Sequence, residues 1–157
     1  LEVDLLEQVR STLELFKNTD NVKFVVHWPH ESKIFILADR EQLNGIFSNL
    51  FKNSIQAIPP DRKGLVKVTT EIIRDKVVIS IHDNGSGIPE DLKKKMFTPN
   101  FTTKSSGTGL GLSIVKRYAE GTGGRVWFES EAGKGTVFHI EFPLKYTVER
   151  PGVSHKD

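Results

Sequence analysis

The 157-residue chain has no cysteine, one methionine, two tryptophans and two tyrosines. Without cysteine it can form neither a disulfide framework nor a thiolate-bound metal centre, and a cytoplasmic address is permitted but not required. Charge of one sign is also scarce. Lys plus Arg total 22 against 20 for Asp plus Glu, a formal net charge of +2, far from the basic stripe of a nucleic-acid binder. Long apolar runs are missing too: the longest, Ile34-Phe35-Ile36-Leu37-Ala38, falls well short of the roughly 20 residues that span a bilayer. No internal repeat, low-complexity tract or signal-peptide pattern is present, and the start at Leu1 reads as a piece of a longer protein. What remains is 37% hydrophobic and 27% charged, the composition of one ordinary domain with a single core.

Periodicity divides the chain into elements. Val3, Leu5, Leu6, Val9, Leu13 and Phe16 predict an amphipathic helix over 3–16. Strands follow at 22–28 and 33–38, and Asp39 stands at a helix N-cap with Gln42 three residues on. The helix it opens carries Leu43, Ile46, Phe47, Leu50 and Phe51 as a core stripe and stops at Pro59-Pro60. Residues 65–73 and 76–82 form a hairpin across Arg74-Asp75. A turn-rich stretch at 83–89 leads to a short charged helix ending near Phe97. Residues 98–108 have no periodicity and predict a mobile loop. A helix over 109–120 is broken by Gly123-Gly124, a last hairpin pairs 125–131 with 136–142, and 145–157 reads as a polar tail after a domain over 1–144. Helices alternating with hairpins predict a two-layer α/β (α+β) sandwich, with a mixed, mostly antiparallel sheet of about five strands and helices on one face.

Several clusters carry chemistry. Asp83-Asn84-Gly85-Ser86-Gly87-Ile88 follows a strand, and Gly107-Thr108-Gly109-Leu110-Gly111-Leu112 opens a helix. Neither completes a P-loop or a Gly-x-Gly-x-x-Gly fingerprint, and a plain turn or helix entry explains each one alone. Both nevertheless suit a nucleotide: glycines let the backbone approach a ligand closely, and amides at a helix start bind phosphate. Asp83 can accept a hydrogen bond from an exocyclic amine such as that of adenine, and guanine's keto group there would be rejected. Asn49 and Asn53 lie one helical turn apart on one face, away from the apolar stripe. That pair is either a solvated polar face or a source of an amide oxygen for Mg²⁺, which takes few protein ligands.

Taken in order, Asn49-x-x-x-Asn53 with Ala57, Asp83-x-Gly85-x-Gly87-Ile88, Phe97 with Phe101-Thr102-Thr103-Lys104, Gly107-Thr108-Gly109-Leu110-Gly111-Leu112 and Gly133-Lys134-Gly135-Thr136 resemble the N box, first glycine box, F box, second glycine box and final Gly-x-Gly-Thr of the ATP-binding catalytic domain of sensor histidine kinases. This is the GHKL or Bergerat fold. The resemblance covers residues 3–144, and Thr102-Thr103-Lys104 resembles the nitrogen-regulation-type branch. It implies ATP and Mg²⁺ as cofactors, with Asn53 on the metal and Asn49 beside phosphate or metal. Asp83 would read the adenine amine, helped by Thr136 through a water, with Gly85, Gly87 and Ile88 along the base. Lys104 would meet the β- or γ-phosphate, and the amides of Gly109, Leu110, Gly111 and Leu112 would receive the phosphates. Residues 98–108, with Phe101, Thr102, Thr103, Gly107 and Thr108, would form an ATP lid. Phe97 would either anchor that lid or serve as a core aromatic.

The resemblance also bears on the reaction. ATPase and serine-kinase branches of the fold place a general-base Glu where this chain has Asn49, whose amide cannot take a proton at neutral pH. A neutral imidazole acceptor needs no such base, so Asn49, Asn53 and Lys104 are implied to serve phosphoryl transfer to histidine. A clamp-type ATPase and a non-catalytic nucleotide-sensing module are the alternatives. None of His27, His30, His82, His139 and His155 sits on a helix of the acceptor type; His30-Glu31 has the His-acid start, and it lies in a connector. The acceptor is therefore expected on a separate dimerisation helical hairpin. Implied partners are that hairpin and a response regulator receiver domain, with no nucleic acid. A monomeric isolated domain, a homodimeric parent and a cytoplasmic location, with or without an inner-membrane anchor in the parent, are implied as well. Two departures stand out: Asn100 replaces an often aromatic F-box residue, and Gln56 stands where many members carry a phosphate-contacting Lys, a charge Lys104 would supply.

Overall fold

The computed structural model describes residues 1–99 and 111–151. In chain order the elements are β1 (Glu2–Asp4), α1 (Leu5–Glu14), β2 (Val22–His27), β3 (Glu31–Leu37), α2 (Arg40–Gln56), β4 (Gly64–Ile73), β5 (Lys76–Asp83), α3 (Glu90–Lys93), α4 (Gly111–Gly121), β6 (Arg125–Glu131), β7 (Gly135–Pro143) and β8 (Tyr146–Glu149). The main sheet runs β2-β4-β5-β7-β6. β2 pairs with β4 in parallel and every other neighbour is antiparallel, in agreement with the expected mixed sheet.

The helices begin where the sequence gives them caps. Asp39 accepts from the amides of Glu41 (2.8 Å) and Gln42 (3.2 Å), satisfying donors that the first turn of α2 leaves without partners. Asp4 does the same for Leu6 at 3.2 Å, and this differs from the sequence expectation, which ran the helix from residue 3. Val3 fits the helical period, yet Glu2–Asp4 pair antiparallel with β3, because a buried Val satisfies either pattern.

The polar tail also needs correction. Tyr146–Glu149 form β8 against β3, so β1, β3 and β8 make a second, three-stranded sheet. Phe35 and Tyr146 stack across that pairing with ring centroids 4.6 Å apart. The main sheet is therefore joined by a small one built from both ends of the described chain.

The core lies between the helices and the main sheet. Phe47, Phe51, Leu43, Ile46 and Leu50 of α2 meet Val66, Val68, Val77, Ile79, Ile81, Ile140 and Phe142, and all of them are fully buried. Phe51 is ringed by Phe16, Phe24 and Phe47 at 5.9, 6.3 and 6.4 Å between centroids. Removing such side chains from water is the main drive for folding, at roughly 25 cal/mol per Å² of apolar surface.

Candidate functional site

Cross-strand register builds the site. On the helix-covered face of β5-β7-β6, Ile79, Ile140 and Val126 stand in one row and Ile81, Phe138 and Phe128 in the next. One step further the row becomes Asp83, Thr136 and Ser130. Strand alternation thus carries three polar side chains inward at the end of an apolar wall. Asp83 and Thr136 are 8% and 4% exposed, so their polar atoms require partners.

Those partners are local. Asp83 Oδ1 accepts from the Gly85 amide at 2.9 Å, bending the chain directly after β5. Ser130 Oγ accepts from the Ile88 amide at 2.8 Å and lies 2.8 Å from Thr136 Oγ1. Lys93 Nζ donates to the Ser130 carbonyl and to Glu90, both at 2.6 Å, tying α3 to β6. Arg62, in the turn after α2, donates through Nη1 to the carbonyls of Asn84 (2.6 Å) and Gly85 (2.8 Å).

The first glycine cluster has reasons internal to the protein. A Cβ at Gly85 would lie 2.5 Å from the Ala57 carbonyl oxygen, so the loop can rest on the end of α2 only with glycine there. Gly87 has φ +76°, and its Cβ would run into the Glu131 carbonyl. Both glycines let the loop close between α2 and β6, whatever else they do for a ligand.

A cavity of about 210 Å³ opens beside this loop, lined by Asp83, Gly87, Ile88, Thr136 and Asn53 among others. Asn53 lies on its α2 wall. Its Nδ2 donates to the Asn49 carbonyl at 2.9 Å, and Asn49 Nδ2 donates to the Gly45 carbonyl at 2.8 Å. With the nitrogens turned onto their own helix, the two amide oxygens are directed off the backbone. A Cβ at Gly111 would lie 2.8 Å from Asn49 Oδ1, which sets Asn49 under the first turn of α4. Helix starts present unpaired amides to anions, and here the asparagine pair adjoins one.

The structure therefore brings Asn53, Asp83, Gly87, Ile88 and Thr136 around one cavity, with Gly85 behind the loop and Asn49 and Gly111 next to each other. Leu112 packs against the core. Gln56 also lines the cavity. Asn100, Phe101, Thr102, Thr103, Lys104, Gly107, Thr108, Gly109 and Leu110, and with them nearly all of the expected lid, lie outside the described residues. Phe97 packs on Phe128 with centroids 5.7 Å apart, as a core-edge aromatic does. His30 is exposed beside Glu31 in the connector before β3, and the described histidines sit in strands or that connector.

Sequence reasoning missed Arg62 and Ser130. Arg62 gave no signal, being one cation in a turn. Ser130 did: in the period-2 row Val126, Phe128, Ser130 it is the polar residue facing inward, directly opposite Thr136. Among the described residues no group of three or more His, Cys, Asp or Glu could hold a metal ion, so a cation here would depend on amide oxygens and on its ligand. No helix among them is long and apolar enough to cross a membrane.

A buried carboxylate at a strand end, an asparagine pair on the facing helix and a helix start beside them thus share one end of the α/β domain. Residues 38–146 match the family described as histidine kinase-, DNA gyrase B- and HSP90-like ATPase. Sporulation kinase C of Bacillus subtilis (strain 168) is 36% identical over 142 residues, which make up 90% of this chain and 33% of that protein. The catalytic domain of histidine kinase ThkA superposes with a TM-score of 0.80 at 37% identity, covering 91% of this chain and 94% of that one. ThkA in complex with the response regulator protein TrrA superposes at 0.76 and 34% identity, covering 92% of this chain and 42% of that one. The chain spans about a third or less of the length of the curated relatives it matches. It belongs to the histidine kinase-, DNA gyrase B- and HSP90-like ATPase family.

Proposed function

We propose that the chain is the Mg-ATP-binding catalytic unit of a two-component sensor kinase, which passes the γ-phosphoryl group to a histidine on a dimerising helical segment of the same parent protein. The observation that carries this reading is the inward row of Asp83 and Thr136 facing Asn53 across one cavity. In this reading Asp83 takes the adenine amine, Thr136 supports it through a water, and Gly87 and Ile88 flank the base. The start of α4 at Gly111 and Leu112 receives phosphate.

The donor set fits magnesium. A hard cation that keeps most of its waters needs only one or two protein oxygens beside the phosphates, and the Asn53 amide oxygen is such a ligand. Bound there, Mg²⁺ would neutralise charge on the phosphates. Asn49 offers no base to activate water, which favours an acceptor that already carries a lone pair. From the acceptor the phosphoryl group would move to a receiver domain, a step supported by the ThkA complex with TrrA. The parent would be a homodimer with this unit on the cytoplasmic side, and Thr102-Thr103-Lys104 supports the nitrogen-regulation-type branch.

The test is the parent protein incubated with ATP and Mg²⁺. Acid-labile phosphohistidine should accumulate, and Asn53→Ala should abolish it. Steady phosphate release with no phosphohistidine would convert the reading to a clamp-type ATPase. Tight ATP binding with neither outcome would make it a nucleotide sensor. In the chain itself, Asp83→Asn should weaken ATP binding at least about tenfold, since hydrogen bonds to charged groups exceed neutral ones; unchanged binding would remove the adenine role.

A further inference from the structure

We propose that Asn84-Gly85 is a self-modification site: the closed loop after β5 holds it inert, and each opening of that loop exposes Asn84 to irreversible conversion to aspartate or isoaspartate. The chemistry is independent of the nucleotide reading above. Asparagine followed by glycine occurs twice in the chain, at Asn44-Gly45 and Asn84-Gly85. Glycine is the follower most open to this reaction, because it places no Cβ in the way of its own amide.

In the reaction the Gly85 amide gives up its proton to hydroxide, and its nitrogen attacks Asn84 Cγ. A carbon–nitrogen bond forms, Nδ2 leaves as ammonia, and a five-membered succinimide closes. Water then opens the ring at one of its two carbonyls. One opening gives aspartate in the original backbone; the other gives isoaspartate, with the main chain routed through the side chain. Water is the one co-reactant, and nothing is oxidised or reduced.

Every group in that step is engaged in the folded loop. The Gly85 amide, which is buried, donates to Asp83 Oδ1 at 2.9 Å, and a carboxylate beside it opposes loss of its proton. Asn84 Oδ1 accepts from the Leu65 amide at 2.8 Å, while Nδ2 donates to the Lys63 carbonyl at 2.9 Å. Arg62 Nη1 holds the carbonyls of Asn84 and Gly85 at 2.6 and 2.8 Å, which fixes the peptide between them. Cyclisation must break the bonds to 63 and 65 and release the Gly85 amide, so it waits on opening of the loop. The isoaspartate product adds an atom to a backbone that already rests on the Ala57 carbonyl with no room for a Cβ at Gly85, and the loop does not close again.

Asn44-Gly45 has the same chemistry in another setting. It lies within α2, and Asn44 Oδ1 accepts from Thr12 of α1 at 3.2 Å, so its release requires the helix to unfold. Local opening of a loop costs less than loss of a core helix. The two pairs should therefore react at different rates in the folded chain and alike in the unfolded one.

The experiment incubates the chain in mildly alkaline buffer over a urea series and measures both pairs by mass spectrometry of their peptides, with aspartate and isoaspartate resolved. Asn84 should convert in urea too dilute to unfold the chain, with Asn44 following only at the unfolding transition. Arg62→Ala should speed Asn84 about tenfold in the absence of urea and leave Asn44 unchanged. Conversion of Asn84 only where Asn44 also converts, or an Asn84 rate in folded Arg62→Ala within about twofold of the original, overturns the proposal. The urea series on the unaltered chain decides alone if Arg62→Ala does not fold. Neither readout involves a nucleotide, so failure of ATP binding would sink the reading of the site and leave this proposal standing.

Discussion

The two faces of the main sheet are written by the same strands and have opposite characters. Alternate residues of β5, β7 and β6 face the helices as Val77, Ile79, Ile81, Phe138, Ile140 and Phe142, all buried. The residues between them face away as Ser80, His82, His139, Trp127, Glu129, Glu141 and Arg125. There His139 bonds Ser80 Oγ through Nδ1 (2.7 Å) and Glu129 through Nε2 (2.8 Å), Trp127 stacks on its ring at 5.1 Å, and Arg125 covers Trp127 at 4.3 Å. The covered face holds the fold, and its last row supplies the polar groups of the site. The open face is a lattice of pairwise contacts around the buried Val78 and Ser80, and those at its solvated rim are each worth little where water competes. One periodicity thus separates stability from surface, and the site lies where the apolar rows stop.

Truncation on each face gives the sharpest contrast. Phe47→Ala empties a fully buried position against Phe51 and Phe142 and should cost about 3–5 kcal/mol. Trp127→Ala, which removes a ring half-exposed on the other side, should cost about 1 kcal/mol, near the middle of the range for single substitutions. Urea titrations of both variants check this; equal losses would mean that the open face carries core-like packing.

At the boundary of the covered face, Arg62→Ala removes the guanidinium that holds the Asn84 and Gly85 carbonyls. The expected loss is about 1–3 kcal/mol, the range for charge-assisted bonds. Hydrogen exchange should rise first at the Gly85 and Ser86 amides; uniform change across β5 would show that Arg62 does not act on the loop. Ser54→Ala runs the other way. The Ser54 hydroxyl is buried on α2 with no partner among the described residues, so its removal should raise stability by about 1 kcal/mol. A lower melting temperature would show that this hydroxyl is satisfied in solution.

Much of this division was legible in the residues. The α2 stripe, the Asp39 cap and both long hairpins followed from period and turn chemistry, and so did the position of Asp83 at the end of a strand. Elements whose meaning depends on distant partners were not legible. Val3 suits a helix as well as a strand, and Tyr146–Glu149 become a strand only because β3, more than a hundred residues earlier, offers an edge. The glycines at 85 and 87 suggested ligand approach, whereas the contacts that demand them are the carbonyls of Ala57 and Glu131. Ser130 stayed hidden between two glutamates because register, not composition, turns it inward.

The smallest expected effect probes the open face through protons. The His82 pKa lies below its ordinary 6.5, first because burial disfavours the imidazolium, then because Lys67 and His139 repel it, with Glu129 opposing them. Between that lowered value and 6.5 the unfolded chain binds a proton that the folded chain refuses. Stability must then rise with pH through this window and fall as pH drops below 6.5, with no contribution from His82 above it. His82→Asn should flatten the slope of stability against pH just below 6.5 and leave the dependence above pH 7 unchanged. Glu129→Gln should steepen the same slope, because it removes the charge that favours the imidazolium. If His82→Asn leaves the acid limb unchanged, the pH sensitivity of this fold belongs to the carboxylates, and the polar lattice of the open face has no titrating member that matters to stability.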